Sequence, residues 1–331
     1  MRREDGFTLI ELLVTLVIAG LLLGGVYTMM IRQQASYQTQ DQVVEVQQNL
    51  RSTFIMLRYD LRMIAHGLAA GTTPVTSHLD NQAGLNGTDA ITFSANDGAA
   101  SVVMPNATNT PYSLTTAVPI TIPVGSVAGF PTITPYQVDL IDLSTGILVA
   151  NANVTAITQT PPTLTLVPCP VTPCDPTVLK TGSYVGQSAQ SIIYRLDIDT
   201  NVDCPSPPCT NRLERSLGGV VSVLAEGVED FQIAYGFDGI NGQPLDGTIT
   251  EIGIGANDDE WVYNVAGDAW PADTSGLRAV RISVLLRTAN RDPSYTGGTT
   301  GILEDHTWTS PLDGYRRRII RLVENVRNLS L

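Results

Sequence analysis

The sequence predicts an α+β fold: one long N-terminal helix, apolar in its first half, packed on a largely antiparallel β-sheet domain with extended loops. Three observations carry this expectation. Residues 6–31, "GFTLIELLVTLVIAGLLLGGVYTMMI", form an apolar run holding a single charge, Glu11. Apolar positions then recur at three- and four-residue spacing to about residue 65. Beyond Thr72, short β-branched runs alternate with Gly, Pro, Asn and Asp.

The helix comes first. About 20 apolar residues span a bilayer, so residues 7–31 suffice for a membrane crossing. Val43, Val46, Leu50, Phe54, Leu57, Leu61 and Ile64 continue the periodicity, with glutamines on the other faces. One helix from about Thr8 to Ala65 is expected, roughly 85 Å at 1.5 Å per residue. Its second half carries one stripe for a domain to cover. Gly67, Gly71 and Pro74 end it, and Gly20, Gly24 and Gly25 are its weak points. Arg2 and Arg3 supply the basic start of a secretory signal, but no A-x-A-like cleavage site follows the run. A plain membrane anchor fits in length and leaves Glu11 unexplained, since a carboxylate at membrane depth costs about 3 kcal/mol.

The strands come next. "DAITFSA", "PYQVDLIDL", "ILVANANVTAI", "TLTLV", "QSIIYRLDI", "VEDFQIAYGF", "LRAVRISVLLRT" and "RRIIRLVENVRN" have strand composition and length. Asn86-Gly87, Asn241-Gly242 and Asp246-Gly247 mark turns between them. The span 72–186 is richer in Thr, Pro and Asn and is expected as an inserted subdomain, followed by a C-terminal β domain over 187–331.

Composition narrows the function. The 331 residues carry a formal net charge of −13, and Lys180 is the sole lysine. A phosphate-backbone partner needs a concentrated basic surface, so nucleic acid binding is not expected. Four cysteines fall in two C-x4-C pairs, Cys169/Cys174 in "CPVTPC" and Cys204/Cys209 in "CPSPPC". An even count in an exported chain reads as disulfides, first as two local bridges and second as crossed pairing between the loops. The same spacing admits a four-cysteine zinc site, which an oxidising compartment and flanking prolines disfavour.

Catalytic patterns are sparse. His66, His78 and His306 have no spacing that suggests a metal site or a nucleophile–base pair. "GIGIGAND" lacks the lysine and following helix of a phosphate loop. Trp261 and Trp270 read as the cover of a small core beneath a loop. "DIDTNVD" places Asp197, Asp199, Asn201 and Asp203 as in the first half of a calcium loop. Val202 stands where the loop needs glycine and Pro208 where it needs glutamate, which excludes a complete EF-hand; a looser calcium site partly closed by a Cys204–Cys209 ring stands beside the simpler reading, a solvated acidic turn. No cofactor is expected.

The "GFTLIELLV" stretch resembles the processing site of type IV prepilins, shared by type IV pilins and type II secretion pseudopilins. The resemblance implies a leader over residues 1–6, cleavage between Gly6 and Phe7 by a membrane prepilin peptidase, and N-methylation of Phe7. Glu11 then becomes the fifth residue of the mature chain, where the family carries a glutamate. Its carboxylate would neutralise the new Phe7 amine of its own or a neighbouring subunit during assembly. The chain departs from the family in having Glu4 and Asp5 before the junction, where leaders are more often basic. Thr28 stands where many major pilins have proline, which leans towards a minor subunit.

A second resemblance lies at the C-terminus. "VVSVLAEGVEDFQIAYGFDG", "LRAVRISVLLRT" and "YRRRIIRLVENVRNL" are similar to the C-terminal half of PilW-type minor pilins. The minor pseudopilins of type II secretion in the J position share a related pattern. A type IV pilin-like fold is therefore expected, in a minor pilin that primes pilus assembly and sits at the tip. The implied partners are other minor pilins, the major pilin, prepilin peptidase and the inner-membrane assembly platform. The implied location is the inner membrane, single-pass, with a periplasmic C-terminal domain, and the pilus after assembly. Two alternatives stand beside it: a type II secretion minor pseudopilin, and a tip adhesin using residues 72–186. An enzyme tethered by a pilin-like anchor comes last.

Overall fold

The computed structural model describes residues 9–68, 73–82, 87–96, 98, 100–115, 117–168, 177–197, 211–251, 259–263, 265, 268, 270–272, 274, 276–292, 295–298 and 300–326. Among them, the side chains of 35, 36, 38–43, 45–50, 81 and 82 lie outside the description.

Helix α1 runs Leu9–Arg62. It stops just short of the expected end because the chain turns there onto the sheet. The Ala65 amide donates to the Ser94 carbonyl at 3.2 Å, and Asn96 returns a bond to the His66 carbonyl at 2.9 Å. Ala65 and Gly67 both take φ near +65°, the left-handed geometry of a helix exit. Glycine accepts it freely at 67, whereas the alanine is held there by the Ser94 bond.

Two strands follow, β1 (Val75–Gln82) and β2 (Thr88–Ala95). Eight more come next: β3 (Ala100–Val102), β4 (Tyr112–Leu114), β5 (Ile120–Pro123), β6 (Tyr136–Asp142), β7 (Ile147–Gln159), β8 (Pro162–Pro168), β9 (Thr177–Leu179) and β10 (Tyr184–Gln187). The remainder is β11 (Gln190–Asp197), β12 (Arg212–Leu217), β13 (Val220–Glu226), β14 (Val228–Phe237), β15 (Trp261–Val262), β16 (Leu277–Arg287), β17 (Thr300–Leu303), β18 (His306–Thr309) and β19 (Arg317–Asn325).

The pairing order separates these strands into layers. One sheet runs β1-β2-β11-β12-β13 and another β15-β14-β16-β19, with every pair antiparallel. The side chains of Leu57, Leu61 and Ile64 from α1 pack with Phe93, Tyr194, Phe231, Ile233 and Val280 of the two sheets in one core. Between β2 and β11, β3–β10 contribute a six-stranded sheet, β3-β10-β6-β7-β8-β5, and the short pair β4-β9. A second core of Leu114, Ile122, Val138, Leu164 and Val185 belongs to this segment. All eight strand runs read from the sequence are strands. The missed ones are mostly short, or polar like β12, "RLERSL".

Candidate functional site: the anchor helix and its seat

Among the described residues, the first half of α1 has no partner. Leu9–Gln34 has a mean hydropathy of 2.5 and none of it is buried. Such a surface needs lipid or other apolar helices around it. Glu11 lies exposed in the first turn of this helix, the end where the helix dipole favours a carboxylate. Threonine hydroxyls in the run satisfy themselves on the backbone: Thr15 donates to the Glu11 carbonyl at 2.9 Å and Thr28 to that of Gly25 at 2.8 Å. Gly20, Gly24 and Gly25 meet nothing within 4 Å of where a Cβ would stand. Packing within the chain therefore does not demand them. Small residues of this kind let a neighbouring helix approach closely.

The second half sits in the domain through polar anchors as well as its apolar stripe. Asp60, only 1 % exposed, accepts from the Tyr194 hydroxyl at 2.5 Å and from Arg215 Nε at 2.5 Å and Nη2 at 3.2 Å. Burial, and then the Asp60 charge, push the Tyr194 phenol far above its ordinary range, so it remains a donor. Arg58 and Arg62 both grip Glu324 of β19, at 2.9 and 2.6 Å. Thr53 donates to the Leu224 carbonyl of β13 at 2.9 Å. The helix is thereby fixed to the free edges of both sheets, β13 on one side and β19 on the other.

The C-terminal arginines form the sheet's interior wiring. Arg281, 1 % exposed, bonds Glu304 at 2.7 Å, Glu251 at 2.7 Å and the Tyr263 hydroxyl at 3.0 Å, with its guanidinium 4.1 Å from the Trp261 ring centre. Glu304 also receives Ser283 at 2.5 Å and Arg321 at 3.0 Å. Arg317 bridges Glu229 and Asp313 at 2.6 Å each. The Arg317 hydrogen bond holds the Asp313 carboxyl down at about 2. Arg281 is not the solvent-facing rung of a half-exposed strand, because β16 is buried on both faces, whereas β19, which carries Arg317 and Arg321, is half-exposed.

The expected sites fall as follows. Gly6 and Phe7 of the cleavage junction lie outside the described residues. So do Cys169, Cys174, Cys204 and Cys209, and with them both expected local bridges, Cys169 to Cys174 and Cys204 to Cys209. Asp199, Asn201 and Asp203 fall outside as well. Asp197 ends β11 and pairs with Arg212 at 3.4 Å. The three histidines do not meet. His66 Nδ1 is 2.6 Å from the Asn96 carbonyl, His78 stacks on Trp270 at 3.9 Å, and His306 Nδ1 contacts Asp230 at 2.7 Å. Trp261 and Trp270 do cover apolar cores, Trp270 standing edge-on to Tyr235 and Phe237. Sequence reasoning missed Asp60, Glu304 and Glu324, because a lone acid in an amphipathic pattern looks solvent-facing until its distant partner is known.

Comparison with known proteins bears on both ends of the chain. Residues 209–328 match the family model of the type IV pilus-assembly protein W, PilW, and residues 1–27 match the prokaryotic N-terminal methylation motif. Among solved structures, a type IV-like pilin from Thermus thermophilus aligns over 87% of this chain and 100% of its own, at 13% identity and a TM-score of 0.36. No curated protein matches the chain.

Proposed function

We propose that this chain, which joins an N-terminal methylation motif to a PilW domain, is a minor pilin that helps prime type IV pilus assembly and occupies the pilus tip. The observation that carries the reading is the division of α1. One half is apolar and bare, with Glu11 near its start, and the other is locked into a folded domain by Asp60, Arg58 and Arg62. That division suits a subunit extracted from a membrane into a bundle of similar helices while its domain stays rigid.

In the proposed mechanism, prepilin peptidase cuts after Gly6 and the Phe7 amine is methylated. An α-amino group has an ordinary pKa near 8 and is mostly cationic at neutral pH. Inside an apolar helical bundle it needs an anionic partner, and Glu11 supplies one. The body lies in the periplasm before assembly, with the start of the chain cytoplasmic, as Arg2 and Arg3 favour. The role is structural, with energy supplied by the assembly machinery. The test is a pulldown of the mature protein from solubilised membranes: co-purification of other minor pilins supports the reading, and recovery with secretion pseudopilins alone overturns it.

One observation favours an added adhesive role. Residues 97–189 interrupt two neighbouring strands and own a separate core, so we take them, and not the whole of 72–186, as the inserted unit. Such a unit is free to contact a surface without touching the helix seat. An insert-deleted variant that still forms pili and loses surface adhesion supports that role; unchanged adhesion removes it.

A further inference from the structure

We propose that the open face of the inserted sheet holds a sugar-binding site, built on Tyr184, Asp139 and Asn151, whose ligand is a neutral polysaccharide. This rests on the adhesive role proposed for residues 97–189 and gives that role a chemical target. One face of the sheet β3-β10-β6-β7-β8-β5 packs on the second core, which takes Val185, Val138, Leu140, Ala150 and Ala152. Strand residues alternate between faces, so Tyr184, Gly186, Asp139 and Asn151 share the other one. The register sets three of them in a row across β10, β6 and β7, with Gly186 opposite Asp139 and Asp139 opposite Asn151. Side chains join the row: Asn151 Nδ2 and the Ser188 hydroxyl, just past the end of β10, both donate to Asp139 Oδ1 at 2.7 Å. Asp139 is thereby held in place, and its Oδ2 meets no donor among the described residues.

Gly186 is the second observation. A glycine inside a strand weakens it and often marks a close approach. Its φ is not positive, so the backbone itself does not call for glycine. A Cβ there would stand 2.5 Å from the Tyr184 ring, so the missing side chain is what lets that ring lie over the strand, beside Asp139. The result is a half-buried aromatic surface next to a carboxylate and an amide. A pyranose has the matching division: its C–H face packs on an aromatic ring, while its hydroxyls donate to carboxylate and amide oxygens at the edge. The strands of this sheet contain no lysine or arginine, so a phosphate, sulfate or uronate would meet Asp139 with no counter-charge. The face continues in uncharged polar groups, with Gln137 opposite Asn153 and Thr121 Oγ1 3.0 Å from Thr165 Oγ1, which suits a chain of sugars better than one.

The test runs the full-length protein, in a detergent without a sugar headgroup, through native gels containing dextran, mannan, galactomannan or xyloglucan. Alginate serves as the anionic comparison. At least one neutral polymer should retard the protein, and alginate should not. Tyr184→Ala should weaken the retardation roughly tenfold, the loss of one aromatic contact, whereas Tyr184→Phe should keep it. Asn151→Ala, at an exposed position that leaves folding undisturbed, should weaken it as well. Equal thermal midpoints of the variants and the wild type separate lost binding from lost folding. Retardation by none of the neutral polymers, preference for alginate, or undiminished retardation of both Tyr184→Ala and Asn151→Ala overturns the proposal. Retardation in a protein whose insert does not affect surface adhesion keeps the sugar site and removes the adhesive role; adhesion through the insert without retardation does the reverse.

Discussion

Asp60 shows how much of the helix seat rests on single side chains. It is nearly inaccessible to water, and its charge is matched by Arg215 and by the Tyr194 hydroxyl, 134 residues further along the chain. Removing one member of a buried pair strands the other, at about 3–5 kcal/mol. Asp60→Ala should therefore lower the unfolding free energy by that amount in a urea titration. A change under about 1 kcal/mol, the range of an exposed pair, would mean that Arg215 finds water instead. Asp313 gives a pH signature. Its folded pKa of about 2 lies below the ordinary carboxylate value, so the Arg317 pair stabilises the fold fully above about pH 4. That contribution fades as pH falls towards 2, and Asp313→Asn should flatten this part of the acid-unfolding curve. None of these pairings was legible in the sequence. Glu11 was, because its oddity is local: one carboxylate in a span of 26 residues fit to cross a membrane needs no partner to be noticed.

At the scale of elements, the apolar spacing of α1 and the eight β-branched runs were legible because each element's pattern lies within its own residues. The pairing of β2 with β11 was not. It joins residues nearly a hundred apart, and no local pattern shows that the intervening sheet is a detour. The register provides a test. Ala95 faces Gln190, so the two strands are positioned for a hairpin. Replacing residues 97–189 by one glycine leaves Asn96-Gly as a two-residue turn of the kind antiparallel strands favour. The shortened chain should keep a cooperative unfolding transition and the α1 seat, with loss of the second core alone. A molten product would show that the inserted sheet is needed to hold β2 and β11 together. The C-terminal sheet was read correctly as strands and incompletely as chemistry: Arg281 of β16 lies in a buried interior, and Arg281→Met should cost about 3 kcal/mol, the low end for a broken buried pair, because Glu304 keeps Arg321 and Ser283.

For the whole molecule, the decisive contrast is between a bare apolar half-helix and a domain built round two buried cores. The matches of residues 1–27 to the methylation motif and of 209–328 to the PilW model, with the Glu11 position, support the proposed life history of cleavage, a period in the membrane, then transfer into a helical bundle. In the proposed mechanism, Glu11 makes the transfer possible by meeting a Phe7 amine. The measurement is the amount of protein in sheared, purified filaments relative to membranes, for wild type and Glu11→Ala, with mass spectrometry of the N-terminus in both fractions. Methylated Phe7 in both proteins, equal membrane levels, and a loss of roughly tenfold or more of the variant from filaments are expected, as when a buried charge pair loses one member. Wild-type levels of Glu11→Ala in filaments would contradict it.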